Sequence, residues 1–209
     1  MKIVVLGSTG MLGSAVTQCM CEHYGLHNIW SSYRSSSGDL PNQSGHPFVF
    51  DALQSPGDIS KLDGADVVIN CIGVIKPFVE KVGMLGTIML NSVLPHLLAQ
   101  YCQAQQIKLI HITTDCVYSG AKGNYIETDF HDCDDTYGKS KSLGEPSANA
   151  MVLRTSIIGP EIHNFCSLVS WARSQANKAV NGFTNHLWNG VTTKAYAQAV
   201  ASIMDKGLY

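Results

Sequence analysis

The sequence predicts an α/β fold, a parallel sheet with helices on both faces. Three observations predict it. Short apolar, β-branched runs recur along the 209 residues, helical stretches separate them, and no internal repeat or linker cuts the chain into two equal domains. A short apolar run bounded by turn signals reads as a strand buried on both faces, and its alternation with helices signals parallel βαβ units. Ligands of such sheets sit at the carboxyl ends of the strands.

Residues 2–6 form the first strand, which runs directly into Gly7-Ser-Thr-Gly-Met-Leu-Gly13 and then into a helix over residues 14–20. Gly7 permits a tight turn, Gly10 lets backbone amides approach a pyrophosphate, and Gly13 lets the helix pack close to the strand. The helix N-terminus adds unpaired N–H groups and a positive dipole end. Gly-x-x-Gly-x-x-Gly between a strand and a helix reads as a dinucleotide site built on Gly7, Thr9, Gly10, Met11, Leu12 and Gly13; the alternative is a glycine-rich turn without a ligand. The architecture is then a Rossmann-type doubly wound sheet.

Further strands are expected at residues 27–33, 47–50, 66–72, 107–112 and 150–154, with the longest helix over residues 83–106 and a polar loop over 35–45. The second strand ends in Ser31-Ser-Tyr-Arg34, without the acid that usually holds the ribose 2′-hydroxyl of NAD. Arg34 therefore favours a 2′-phosphate and NADP, with NAD as the alternative; otherwise Arg34 is a surface side chain. Asp51, beside Ala52, either bonds an adenine amino group or caps its own turn. Cys71, Ile72 and Gly73 follow the fourth strand, where backbone passes a cofactor or simply turns.

The fifth strand ends in Thr113-Thr-Asp-Cys-Val-Tyr-Ser-Gly120, and the Thr114 hydroxyl there is placed to bond a substrate carbonyl oxygen. Tyr137 and Lys141 follow in Tyr-Gly-Lys-Ser-Lys, and the i, i+4 spacing puts both on one helix face. A tyrosine normally titrates near ~10. A lysine cation beside it favours the phenolate and lowers that value.

A net charge of −2 and no long basic run argue against nucleic acid or an anionic membrane as partner. Nothing in the sequence is expected to reach the length of a membrane span, and the first residues read as a strand, not a signal peptide. The seven cysteines are scattered. Cys71, Cys102 and Cys116 lie in apolar segments and read as buried thiols, which places the chain in a reducing cytoplasm. The sequon at Asn42 is then incidental. Glu127, Asp129, His131, Asp132, Cys133, Asp134 and Asp135 fit no recognised metal-ligand spacing. They read as a solvated loop with Asp135 or Thr136 as helix cap, and no metal is expected.

These segments, with Leu153-Arg-Thr-Ser-Ile-Ile-Gly-Pro160, Asn91-Ser-Val-Leu-Pro95 and Trp188-Asn-Gly-Val-Thr-Thr193, resemble the extended short-chain dehydrogenase/reductase superfamily. The branch most similar is that of dTDP-4-dehydrorhamnose reductase and related nucleotide-sugar 4-keto reductases. The resemblance implies a catalytic triad on Thr114, Tyr137 and Lys141, NADPH as hydride donor, a nucleotide-linked 4-keto-6-deoxy sugar as substrate, and Tyr137 as general acid. Tyr137 and Lys141 also join the cofactor site, Lys141 by holding the nicotinamide ribose. A homodimer through the apolar helix near residues 84–101 is implied as well.

The expected organisation is a nucleotide-binding domain over residues 1–160 and a short substrate-side segment over 161–209, with helices near 161–173 and 193–206. Extended members carry a larger substrate domain, of ~100 residues. Two alternatives stay open: a sugar epimerase or dehydratase using tightly held NAD, and a non-catalytic NADP-binding regulatory subunit. Dehydratases need extra acids beside the threonine, where this chain offers Asp115.

Overall fold

The structure, a computed structural model, describes residues 1–34, 45–54, 58–163 and 165–209. The loop at 35–44 and its sequon lie outside the described residues. β1 (Ile3–Leu6), β2 (Ile29–Tyr33), β3 (His46–Val49), β4 (Val67–Asn70), β5 (Lys108–Thr113) and β6 (Met151–Arg154) form one sheet in the order β3-β2-β1-β4-β5-β6. Every pairing is parallel. The chain winds outward on both sides of β1, so the switch of direction opens a crevice at the carboxyl ends of β1 and β4.

β1 shows why the sequence folds this way. Its four side chains are fully buried and alternate between two cores. Ile3 and Val5 meet α1 (Met11–Tyr24) through Leu12, Val16 and Met20, together with α6 (Thr193–Asp205) through Tyr196, Ala197, Val200 and Met204. Val4 and Leu6 face the opposite core, where α3 (Leu94–Ala104) contributes Leu94, Leu98, Ala99 and Cys102. Full burial of each such aliphatic side chain is worth about 1.5–3 kcal/mol. Residues 193–205 therefore help build the sheet's own core.

Several boundaries differ from expectation. Residues 26–28 form a 3₁₀ turn, so β2 starts late. The first helix begins at Met11 inside the glycine motif. The long helix runs as α2 (Val79–Ile88), a π turn at Met89–Val93, and α3, with a backbone break at Gly83. The expected helix over 161–173 shrinks to α5 (Leu168–Ser174), because the Glu161 carboxylate accepts the Ser167 N–H at 2.6 Å and stops the helix extending back. A small parallel pair, β7 (Ile157–Ile158) with β8 (Val191–Thr192), joins the end of β6 to α6. Its two-residue strands were too short to leave a pattern in the sequence.

The expectation about membrane-span length is corrected. Lys76–Ala104 is a helical run of 29 residues, interrupted at Gly83, that is long and apolar enough to cross a membrane by length and composition alone. Its 3₁₀ start at Lys76–Phe78 and its π turn join pieces that glycines and polar residues separate in the sequence. The α3 half is committed to the core, while Met84, Leu85 and Ile88 on α2 stay exposed.

Candidate active site

The glycine turn closes as expected. The Gly10 amide donates to the Gly7 carbonyl at 3.0 Å, and Gly7 has φ +77°, a left-handed backbone that glycine adopts without strain. A Cβ on Gly13 would overlap the Gly7 carbonyl oxygen, so the helix can approach the strand only with glycine there. Two serines missed in the sequence brace this turn: Ser32 Oγ accepts the Gly7 amide at 2.9 Å, and Ser8 Oγ donates to the Ser32 carbonyl at 2.7 Å. Thr9, Met11 and Leu12 lie between the glycines, and among the described residues no side chain caps the start of α1. Arg34 follows β2 with an exposed side chain. Asp51 Oδ1 accepts the Leu53 amide at 3.0 Å and so caps its own turn, with Ala52 buried beside it. Cys71 and Ile72 line the crevice: the Cys71 amide donates to the Leu6 carbonyl, and Ile72 packs against Gly7.

α4 (Thr136–Leu143) carries Tyr137 and Lys141. Asp135 caps it, Oδ1 accepting the Gly138 amide at 2.9 Å while Oδ2 pairs with Lys76 at 2.9 Å. A Cβ on Gly138 would overlap the Cys116 carbonyl oxygen. That close approach seats the first turn of α4 on the 3₁₀ turn Asp115–Val117, which Thr114 caps by accepting the Cys116 amide at 3.1 Å. Tyr137 thereby lies close enough to Thr114 for that hydroxyl to favour the phenolate. At the other end of α4, Lys141 Nζ lies 2.7 Å from where a Cβ on Gly73 would stand, over the end of β4. Thr114, Tyr137, Lys141 and Gly73 thus share one crevice with the glycine turn.

The electrostatics correct one expectation. Burial pushes the Tyr137 phenol up to about 12, the nearby Thr114 hydroxyl draws it back in part, and Cys116, Asp115 and Asp135 push it up further. Burial lowers the Lys141 ammonium to about 8, with Cys71 and Glu145 working the other way. Lys141 is therefore not what tunes Tyr137 here; its ammonium points to the β4 end, and desolvation dominates both groups. Cys116 is a second correction: it is exposed, because β5 ends at Thr113 and the thiol lies on the following turn. Among the described residues no disulfide forms.

Other polar residues had no role assigned to them from the sequence. Asn91, in the π turn, accepts the Val74 amide at 2.8 Å and donates to the Val74 carbonyl and to Ser140 Oγ, each at 3.0 Å. It ties the segment after Gly73 to α4 beside Lys141. Arg154 forms a forked pair with Glu145 at 2.7–3.0 Å and donates to Tyr118 at 2.8 Å, holding the end of α4 against β6. The acidic stretch is a solvated loop: Asp129 pairs with Lys122, and Asp132 accepts from Ser119.

The family model described as the RmlD substrate binding domain matches residues 1–208. The chain belongs to that family. Membership bears out the resemblance to short-chain dehydrogenase/reductase-type nucleotide-sugar reductases and makes this RmlD-family chain an oxidoreductase of that type. A probable low-salt glycan biosynthesis reductase of Haloferax volcanii is 28% identical over 223 residues, covering 100% of this chain and 72% of the relative. A hypothetical dTDP-4-dehydrorhamnose reductase from Sulfolobus tokodaii superposes with a TM-score of 0.79 at 23% identity, over 98% of this chain and 72% of that one. The dTDP-4-dehydrorhamnose reductase of Bacillus anthracis, in complex with NADP, gives 0.73 at 18% identity, over 100% and 73%. At these identities the two structures show a shared fold.

Proposed function

We propose that this RmlD-family protein is an NADP-dependent reductase of a nucleotide-linked 4-keto-6-deoxy sugar, similar in activity to dTDP-4-dehydrorhamnose reductase. The observation that carries it is Tyr137 next to Thr114 and on one helix with buried Lys141, in one crevice with the glycine turn. The NADP complex of the Bacillus anthracis protein supports the cofactor.

The residues present fit a dinucleotide: an α1 start free of side-chain caps, glycines where a Cβ would fill the cradle, and a basic side chain after β2. The first turn of α1 would hold the pyrophosphate, Arg34 the 2′-phosphate, and Lys141 the nicotinamide ribose. The bound cofactor supplies hydride to the keto carbon. Thr114 orients the carbonyl oxygen. Tyr137, neutral at physiological pH, donates its proton as the alkoxide forms. Asp115 is one carboxylate beside Thr114, short of the pair a dehydratase uses. The exposed Met84, Leu85 and Ile88 support a homodimer through α2, and the seven free cysteines among the described residues support a reducing cytoplasm.

The test is a fluorescence titration with NADPH and NADH, followed by addition of a dTDP-4-keto-6-deoxy sugar while reduced nicotinamide is followed by absorbance. Oxidation of NADPH on addition of the sugar is expected. Tight NADPH binding with no oxidation across several nucleotide sugars would favour the non-catalytic regulatory alternative. A preference for NADH would remove the role given to Arg34.

A further inference from the structure

We propose that Trp188 is the platform on which the hexose ring of the substrate stacks, and thus a specificity-determining residue; this rests on the nucleotide-sugar reading above. Trp188 precedes β8. Its indole N–H donates to Ser156 Oγ at 2.9 Å, and a Cβ on Gly190 would overlap the six-membered ring. The Val191 amide meanwhile donates to the Ser156 carbonyl at 2.9 Å, so the strand that follows Trp188 is tied to the same residue. The indole is held at its polar edge and on one side, yet it remains 48% exposed. A tryptophan with its N–H satisfied and its orientation set, but with ring surface left open, forgoes apolar burial and presents a face that binds at little entropic cost.

Its position selects the ligand. Thr113 on β5 pairs with Arg154 on β6, and the two strands end at the same edge of the sheet. Thr114 follows the first directly and Ser156 stands two residues beyond the second, across a strand spacing of about 4.8 Å. The anchor of Trp188 is therefore beside the strand end that presents Thr114 to the reacting carbonyl. The group held by Thr114 and Tyr137 is the keto carbon of the hexose itself; the nucleobase lies a pyrophosphate and a ribose farther off. A hexose has a C–H face as well as its hydroxyls, and such a face packs on an indole by dispersion and apolar burial.

Calorimetric titration tests this without turnover, using dTDP-glucose and UDP-glucose against dTDP and UDP. The wild-type protein is expected to bind at least one nucleotide-glucose more tightly than its parent nucleotide. Trp188→Ala should weaken that nucleotide-glucose about tenfold and leave the parent nucleotide within about twofold. Trp188→Phe keeps a ring and should retain most of the affinity. Ser156→Ala keeps the indole but frees its edge, and should lose about threefold on the sugar nucleotide alone. NADPH affinity and melting temperature should hold across the set. Equal weakening of nucleotide and nucleotide-glucose by Trp188→Ala would overturn the assignment, as would no effect on either. So would a wild-type protein that gains nothing from the glucose. A variant set that behaves as expected, in a protein that never oxidises NADPH, would instead sink the reductase reading alone.

Discussion

A phenol that is to donate a proton at neutral pH must keep it until the alkoxide forms. Tyr137, raised to about 12 mainly by burial, does so throughout the physiological range. Lys141, lowered to about 8 by burial, is the group that titrates near the working pH. Its ammonium is complete well below 8 and lost as pH rises through 8, about four units below the midpoint of Tyr137. The alkaline limb of the pH–rate profile is therefore expected near 8 and belongs to Lys141. Lys141→Met should lower kcat/KM and flatten that limb between pH 7 and 10, measured by NADPH oxidation; a limb that persists near 8 in this variant contradicts the assignment. Tyr137→Phe should cost about 10²–10⁴ in kcat, measured by NADPH oxidation.

At the scale of elements, α4 is positioned by contact more than by its own propensity. It has eight residues, too few for a stable helix in isolation. The Asp135 cap, the Gly138 seat and the Asn91 clamp hold it between the 3₁₀ turn and the π turn. Gly138→Ala places a methyl group against the Cys116 carbonyl oxygen, and either α4 or the Thr114 turn must shift. We expect a loss of about 1–3 kcal/mol by urea unfolding, with a fall in kcat larger than that loss alone would cause. Gly13→Val acts on α1, the helix proposed above to hold the pyrophosphate. It should lift α1 from the Gly7 carbonyl and abolish NADPH binding, while the sheet itself stays folded by circular dichroism.

Across the whole molecule, stability should fall on the acid side. His111 lies fully buried on β5, accepting from Asn70 Nδ2 at its Nδ1 (3.1 Å), and burial lowers it from 6.5 to about 3, with Lys141 and His96 pushing the same way. Above pH 6.5 the imidazole is neutral in both folded and unfolded chains, and its effect on stability is nil. Between 6.5 and about 3 the unfolded chain takes up a proton that the folded chain refuses, so folding loses ground as pH falls, on the order of a few kcal/mol in all. Urea midpoints from pH 7 to 4 should drop for the wild type and drop less for His111→Gln. The Glu145–Arg154 pair is a further charged interaction largely shielded from solvent, and Glu145→Ala should cost about 3 kcal/mol by leaving the guanidinium without its carboxylate.

The sheet, the glycine turn and the placing of Tyr137 and Lys141 on one helix were legible because each rests on local chemistry. Buried parallel strands need unbroken apolar runs. A phosphate turn needs glycine at fixed intervals, and a helix displays residues i and i+4 on one face. The same locality explains what stayed hidden. Asn91, Ser32, Glu145 and Trp188 act on partners 17, 25, 9 and 32 residues away, and nothing in their neighbouring sequence marks the partner. The proton affinities of Tyr137 and Lys141 were hidden for the same reason. Their spacing alone suggests that the cation tunes the phenol, but desolvation outweighs that pairing. How far each group is buried is decided only when α4 is pressed against α2, the π turn and the 3₁₀ turn at Asp115–Val117.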